Sequence, residues 1–325
     1  MHTLIYLSRR LGAGALMVLA VVVLNFLLLS AAPGDVADVI AAQSGGATAE
    51  QLAALRTQMG LDAGLGQRLV AYVGNVLSGH LGDSLFFHQP VTTLIFDRVP
   101  NTLMLVLPAL LLAVVIGTLL GALSAHRPRG AVSGLVTFLS LAGFAAPVFW
   151  SGMMLLIAFA YWLPVFPASG MYTMGQRAEG WALAADVLHH LVLPVVSLAM
   201  IYLAQYSRQA RATMLDVLGA DYIRTARAKG MSERVVVYRH ALKNTLLPIV
   251  TLAGLQFSHA LAGAVLVETV FNWPGLGRLA SDAVLNRDYP LMLGILLMSS
   301  AMVVVANILT DYLYSLLDPR IRTGD

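Results

Sequence analysis

The sequence predicts an all-α membrane protein with six transmembrane helices and a small external helical cap between the first two. Three observations carry this. First, 58% of the 325 residues are hydrophobic and only 11% are charged, against about 25% charged in an average soluble domain. A globule of this size still exposes a large surface, so water cannot be the solvent for so much apolar side chain. Second, six segments reach the roughly 20 mostly apolar residues that a span needs. They lie near Leu11–Ala32, Thr102–Ser124, Leu135–Tyr161, Leu191–Ser207, Leu246–Val267 and Leu291–Leu316. Third, the Lys and Arg residues alternate between the two sides. With the amino terminus inside, 14 of the 20 fall on inner segments: Arg9, Arg10, Arg127, Arg129, the eight from Arg208 to Lys243, Arg320 and Arg322. The positive-inside rule then puts both termini in the cytoplasm.

The first apolar segment follows Ser8-Arg9-Arg10, a pattern also found in twin-arginine signals. Pro33 follows the small residues Ser30-Ala31-Ala32 at once and should hinder cleavage, and the segment is long for a signal core. It reads as a retained first span, making residues 1–32 the amino terminus with helix 1. Residues 33–100 form the external cap. In it, Thr48 and Gln51 suit a capping box, Leu52, Leu55 and Met59 recur at helical spacing, and Gly60 can stop the helix. A second amphipathic helix fits Gly66–Leu77, with Leu69, Val73 and Leu77 on one face. Gly79, Gly82 and Pro90 mark turns.

The core, 101–317, carries helices 2–6. Gly117 and Gly121 in span two make a small-xxx-small pair, which lets helices approach closely. Span three is interrupted by Pro147 and ends beside Tyr161 and Trp162, residues suited to a membrane interface. Pro194 is expected in the first turn of span four, where proline is tolerated. Residues 318–325 are a cytoplasmic tail. The chain has no cysteine, which excludes disulfides, thiolate chemistry and zinc held by sulfur.

The inner loop 208–245 is the most distinctive segment. Leu215–Lys229 reads as a short helix, with Asp221 and Arg224 three apart and able to pair. Gly230 stops it. Ser232 suits the N-cap of a second helix through Lys243, with Val235, Tyr238 and Leu242 as its apolar stripe. Flanking spans argue against nucleic-acid binding. Two readings remain open at this level: a solvated basic loop on anionic lipid, or a docking element for a soluble motor. In the second, small residues such as Thr225, Ala226 and Ala228 allow close approach, and Arg224, Arg227 and Lys229 fix register.

The stretch Tyr222-Ile-Arg-Thr-Ala-Arg-Ala-Lys-Gly230, with His240-Ala-Leu-Lys-Asn244 and Leu247-Pro248, resembles the coupling loop of ABC-importer permeases of the dipeptide/oligopeptide/nickel type. Arg98–Leu103, Phe149-Trp150, Pro167–Gly170, Glu268–Gly277, Arg287–Pro290 and Asp318–Arg322 resemble further stretches of that family, so the likeness covers nearly the whole chain. Aligned on Gly230, the family's EAA signature falls on Arg224, Thr225 and Ala226, without its glutamate.

The resemblance implies a type I ABC importer permease fold in a bacterial inner membrane. It also implies a homologous second permease, two cytoplasmic ATPases that bind ATP and Mg, and an external solute-binding protein. Coupling would involve Asp221, Tyr222, Arg224, Thr225, Ala226, Arg227, Lys229 and Gly230. The chain itself has no cofactor and no ATPase motif, since GxxxxGK[ST] is missing. It is expected to be a pore subunit rather than an enzyme, most readily for di- or oligopeptides. Nickel, opines or another small solute are alternatives within the class, and an ion-driven secondary transporter is the alternative outside it.

Polar residues inside spans are costly and suggest function. Gln256 and His259, three apart on span five, are candidate pore-lining residues, with helix–helix hydrogen bonding as the competing role. Asn25, Asn307 and Asp311 suit packing. Glu268, Asn272, Trp273, Pro274 and Gly275 are a candidate external gate or docking turn. Only His259 of the 8 histidines lies well within a span, which is thin for a metal path, so no metal site is expected.

Overall fold

A computed structural model describes the chain apart from residues 1, 32–36, 39–40, 42–44, 59, 127, 176–178 and 318–325. Pro33, Met59, Arg127, Arg177 and Asp318–Arg322 thus lie outside the described residues, as do the side chains of Arg9, Arg10 and Asp311. The described residues are helical, with one isolated bridge between Asp83 and Pro90. In chain order the helices are α1 (His2–Ala31), α2 (Ala49–Gln58), α3 (Leu65–Leu77), α4 (Val91–His126), α5 (Ala131–Ala145) and α6 (Val148–Leu156). A π-helical turn, Ile157–Trp162, extends α6. Then come α7 (Gly180–Leu218), α8 (Asp221–Ala228), the single turn α9 (Glu233–Val235), a second π stretch (Val236–Ala241), α10 (Leu242–Val270), α11 (Leu276–Leu285) and α12 (Tyr289–Leu317).

Among the described residues three helices are long and apolar enough to cross a membrane: Val91–His126, Gly180–Leu218 and Tyr289–Thr310. A fourth qualifies if α10 counts as one span, because its axis turns by 55° between Pro248–Phe257 and His259–Val270. Gly12–Leu28 and Val148–Trp162 are apolar but shorter.

The chain divides into two compact units. The first joins Met1–Val99 to Leu279–Ile308. Here Thr48 and Gln51 exchange hydrogen bonds: the Thr48 N–H donates to Gln51 Oε1 at 2.9 Å and the Gln51 N–H to Thr48 Oγ1 at 3.3 Å. This is the capping box, and it starts α2. Gly60 ends that turn with φ of 65°, a backbone conformation that glycine reaches without a Cβ penalty. Helix α3 turns Tyr72 onto Phe26 of α1, ring centroids 5.8 Å apart. Leu69 and Val73 share that half-buried face, whereas Leu77 is exposed. Asp288 caps α12 and is fully buried. It accepts from the Leu291 N–H at 3.3 Å, the Phe86 N–H at 3.2 Å and the Ser84 hydroxyl.

The second unit joins Pro100–Arg278 to Leu309–Asp325. Helix α7 is its axis, touched by α5, α6 and α10. Leu105, Leu198, Tyr206, Ile249, Val267 and Trp273 are among its fully buried core residues. Gly117 and Gly121 lie where α4 crosses α7. A Cβ on Gly117 would sit 2.8 Å from Tyr206 Cβ, and one on Gly121 2.5 Å from the Ser207 carbonyl oxygen. The small-xxx-small pair is therefore a true crossing.

Several boundaries differ from the sequence expectation. Helix α4 starts at Val91 and runs through Pro100 and Pro108, and α7 carries Pro194 well inside it. Neighbouring helices and apolar surroundings hold such helices together where an isolated helix in water would break. The expected helix Leu215–Lys229 is split, because α7 ends at Leu218 and α8 starts afresh at Asp221. The break at Pro147 is where expected, between α5 and α6.

Gly121→Leu should destabilise the folded chain by about 1–3 kcal/mol through overpacking, read as a lower melting temperature in detergent. Gly134→Ala is the control: nothing lies within 4 Å of a Cβ there, and its melting temperature should not fall.

Candidate functional site

The polar segment between α7 and α10 folds into a hairpin with two unlike faces. Ala220 has extended backbone (φ −72°, ψ 150°), which stops α7 from running on into α8. Asp221 in the first turn and Arg227 in the last suit the helix dipole. Gly230 then reverses the chain with φ of 76°. Its N–H bonds the Arg227 carbonyl at 2.9 Å. Ser232 occupies the N-cap position of the return arm, but its side chain makes no capping bond.

The return arm differs from a plain α-helix. Val236–Ala241 is π-helical, and a π turn bonds five residues ahead, shifting which side chains share a face. The buried residues are Val236, Val237 and Ala241, while Val235 and Tyr238 are exposed. The expected stripe of Val235, Tyr238 and Leu242 assumed a regular α-helical period; Leu242 does pack on the buried set, but Val235 and Tyr238 do not. With Ile223 and Ala226 of α8, the buried set packs on Ala122 and Ala125 of α4 and Met214 of α7. Each fully buried side chain of the Ile or Val kind contributes about 1.5–3 kcal/mol. Ala226 therefore faces the chain's own core.

Asp221, Tyr222, Arg224, Thr225, Arg227, Lys229 and Gly230 are exposed. Two bonds set the shape of the hairpin. Arg227 grips Glu233 across the turn, its Nε 3.1 Å from Oε2 and its Nη2 2.6 Å from Oε1. Asn244 Nδ2 donates to the Tyr222 hydroxyl at 2.6 Å, tying the two arms at their base. The Arg224–Asp221 pair, at 3.5 Å and almost fully exposed, adds little. The hydrogen bond from Arg227 holds the Glu233 carboxyl below its ordinary value, with a further charge contribution from Arg227 and then His126. Glu233 and Asn244 escaped the sequence reading because their partners lie across a turn of unknown geometry.

Inside the bundle, Gln256 of α10 is buried and donates to Gln205 Oε1 of α7 at 2.7 Å. This is the helix–helix bond that competed with a pore role. His259, one turn on, is exposed. Nothing in the sequence pairs residues 51 positions apart, so Gln205 was missed.

The turn after α10 is a knot. Glu268 is fully buried. Its Oε1 accepts from the Thr102 hydroxyl at 2.7 Å and its Oε2 from the Arg278 N–H at 3.0 Å. Thr102 Oγ1 accepts in turn from the Leu276 N–H at 2.8 Å. Trp273, also fully buried, donates its indole N–H to the Asn101 carbonyl at 2.9 Å, and Asn101 Nδ2 donates to the Pro274 carbonyl at 2.8 Å. A Cβ on Gly275 would collide with the Glu268 carboxylate. Asn272, at φ of 54°, is the exposed member. Glu268, Trp273 and Gly275 are thus packed inside, not displayed.

Two family models match this chain. Residues 117–323 match the binding-protein-dependent transport system inner membrane component. Residues 3–106 match the amino-terminal part of the same transport-system membrane component. The chain belongs to this family. Members similar to it include a probable peptide ABC transporter permease protein, y4tP, of Sinorhizobium fredii, 40% identical over 98% of this chain and 99% of the relative. The oligopeptide transport system permease protein AppB of Bacillus subtilis is 38% identical over 98% and 99%. The dipeptide transport system permease protein DppB of Escherichia coli is 36% identical over 98% of each. The first match starts on α4 at the α4–α7 crossing and spans the hairpin, the glutamine pair and the knot from Glu268 to Arg278, while Asn101 and Thr102 fall in the second.

Glu268→Ala should destabilise this family member by about 1–3 kcal/mol, since the Thr102 hydroxyl and the Arg278 N–H lose their acceptor in a buried place; thermal denaturation in detergent reads it. The Arg227–Glu233 clasp gives a pH signature. Its carboxyl is lowered in the folded state, so its contribution is present above the unfolded value of about 4.3 and is lost as pH falls through the folded one. Proteolytic protection of the hairpin should therefore be flat from about pH 8 to 5 and fall below about 4, whereas Glu233→Gln should lower it above about pH 5 and remove the fall at low pH, where the two proteins should converge.

Proposed function

We propose that this chain is one of two permease subunits of an ATP-driven, binding-protein-dependent importer of di- or oligopeptides. The observation that carries the reading is the two-faced hairpin. One face is buried against α4 and α7, and the other leaves Asp221, Tyr222, Arg224, Thr225 and Lys229 free to meet a partner. A displacement of that exposed face is delivered to two long apolar helices at once. The names of the relatives, which speak of peptide, oligopeptide and dipeptide transport, support the solute class.

The fold on this reading is the type I importer permease fold with six spans. The four segments that qualify outright or as a bent pair are joined by α1 and by the pair α5 and α6, interrupted at Pro147. The domains are 1–32, the external cap 33–100, the core 101–317 with its coupling loop 208–245, and the tail 318–325. Both termini lie in the cytoplasm, as the basic residues suggest. A homologous second permease completes the path, two cytoplasmic ATPases bind ATP and Mg, and an external protein delivers solute. The chain performs no chemistry; Arg224, Thr225, Arg227 and Lys229 hold the ATPase, and Gly230 keeps the hairpin closed. The buried knot around Glu268 and Trp273 fixes the outer end of α10, leaving Asn272 as its contact residue.

The test is uptake by the full complex in proteoliposomes. Proline fixes φ near −65°, which Gly230 does not adopt, so Gly230→Pro should abolish peptide uptake and peptide-stimulated ATP hydrolysis while the chain still inserts. Deletion of residues 225–230 should do the same. Uptake that survives removal of the ATPases and collapses with an ionophore would establish the ion-driven secondary transporter instead.

A further inference from the structure

The Gln205–Gln256 pair leaves most of its hydrogen-bonding capacity unused. Each side-chain amide has two N–H donors and a carbonyl with two lone pairs. Their mutual bond takes one N–H of Gln256 and one lone pair of Gln205. The NH2 of Gln205 and the carbonyl of Gln256 meet no other protein partner among the described residues. An amide left with free polar capacity at membrane depth is costly. Neither glutamine is among the buried side chains left wholly without a partner, such as Tyr206 and Ser197, and Gln205 is only half-buried.

Two further observations mark this place as one that a polar solute reaches. The exposed face of α10 carries Leu255, His259, Ala262, Leu266 and Thr269 in helical succession. An imidazole on that face is poorly matched to hydrocarbon and well matched to a watery path. The 55° turn of α10 also falls between Gln256 and His259. The helix stays α-helical through the bend, so the bend re-aims the face that carries His259 relative to the one that carries Gln256 without breaking the chain's own hydrogen bonds.

We infer that Gln205 and Gln256 form a solute-contact site that reads the main chain of an extended peptide. This rests on the importer reading above and names the chemistry of its path. A residue in extended conformation presents its own N–H and C=O on one edge, as in a strand pair. The free Gln205 NH2 donates to that C=O, and the free Gln256 carbonyl accepts from that N–H. The pair offers no charge and no side-chain pocket, so it serves peptides of any sequence. Equal donor and acceptor capacity suits a peptide group and does not suit a metal cation, which the Gln205 N–H groups would repel.

The test is uptake of trialanine, and of trialanine N-methylated on its middle residue, by the full complex in proteoliposomes at saturating binding protein. The variant is Gln205→Leu with Gln256→Leu, because replacing both partners of a hydrogen bond by apolar groups spares the fold more than replacing one. Loss of a solute hydrogen bond is expected to cut trialanine uptake about tenfold, with peptide-stimulated ATP hydrolysis held within about twofold of wild type. The preference for trialanine over its N-methyl analogue should shrink by a similar factor, since the variant has no acceptor for the missing N–H. An unchanged preference would overturn the inference, as would uptake and ATP hydrolysis falling together, the mark of an assembly contact. Wild-type complex that moves no trialanine, under any nucleotide, would remove the importer reading itself and this site with it.

Discussion

Close passage of helices along α7 is the constraint on which the second unit rests. In a membrane, lipid tails are as apolar as leucine, so burial alone gives helices little reason to associate, and packing must supply it. The helices around α7 achieve this with a glycine at each contact. Gly117 and Gly121 let α4 settle against the backbone of residues 203–211, where a Cβ would meet a carbonyl oxygen or an amide nitrogen. Gly152 brings α6 onto Ser197, and Gly263 brings α10 near Leu198 and Tyr202. Three neighbours thus pack on one axis, α4 at backbone distance and α6 and α10 against side chains. The hairpin inherits that rigidity, since its socket is made of Ala122 and Ala125 at one end of α4 and Met214 near one end of α7.

What was legible in the sequence is what depends on local chemistry. The Thr48–Gln51 box, the turn at Gly60, the helix beginning near Gly66, the break at Pro147 and the reversal at Gly230 follow from side chains within a few residues of each other. Each of these residues acts on its own backbone, so no knowledge of the tertiary fold is needed. The small-xxx-small pair was readable as a motif, although its partner helix was not.

The misreadings have physical causes of two kinds. Rules for proline come from helices in water, where a lost N–H leaves a carbonyl exposed and the helix ends. Pro100, expected in the cap, and Pro194, expected in a first turn, sit inside long helices that continue through them in apolar surroundings. The second cause is register. A period of 3.6 assigns Val235, Tyr238 and Leu242 to one face, and the π turn at Val236–Ala241 rotates that assignment onto Val236, Val237 and Ala241. Neither Asn244 with Tyr222 nor Gln205 with Gln256 is written in any spacing, because each pair is a product of how helices are brought together.

The buried carboxylates and the glutamine pair use their hydrogen-bonding capacity in different ways. Glu268 and Asp288 are both fully buried, and each takes donors from residues far along the chain, Thr102 for one and Ser84 and Phe86 for the other, with Arg278 adding a nearer donor to Glu268. Carboxylates held in this way act as bolts, and moving them would strand several donors at once. The glutamine pair differs in kind. It spends one donor and one lone pair on itself and leaves the rest open beside a bend and an exposed imidazole. A structural role needs only the one bond between α7 and α10, which leucine packing could replace. The unspent donor and acceptor are the part that a structural account leaves over, and a passing peptide group is the solute whose chemistry uses both.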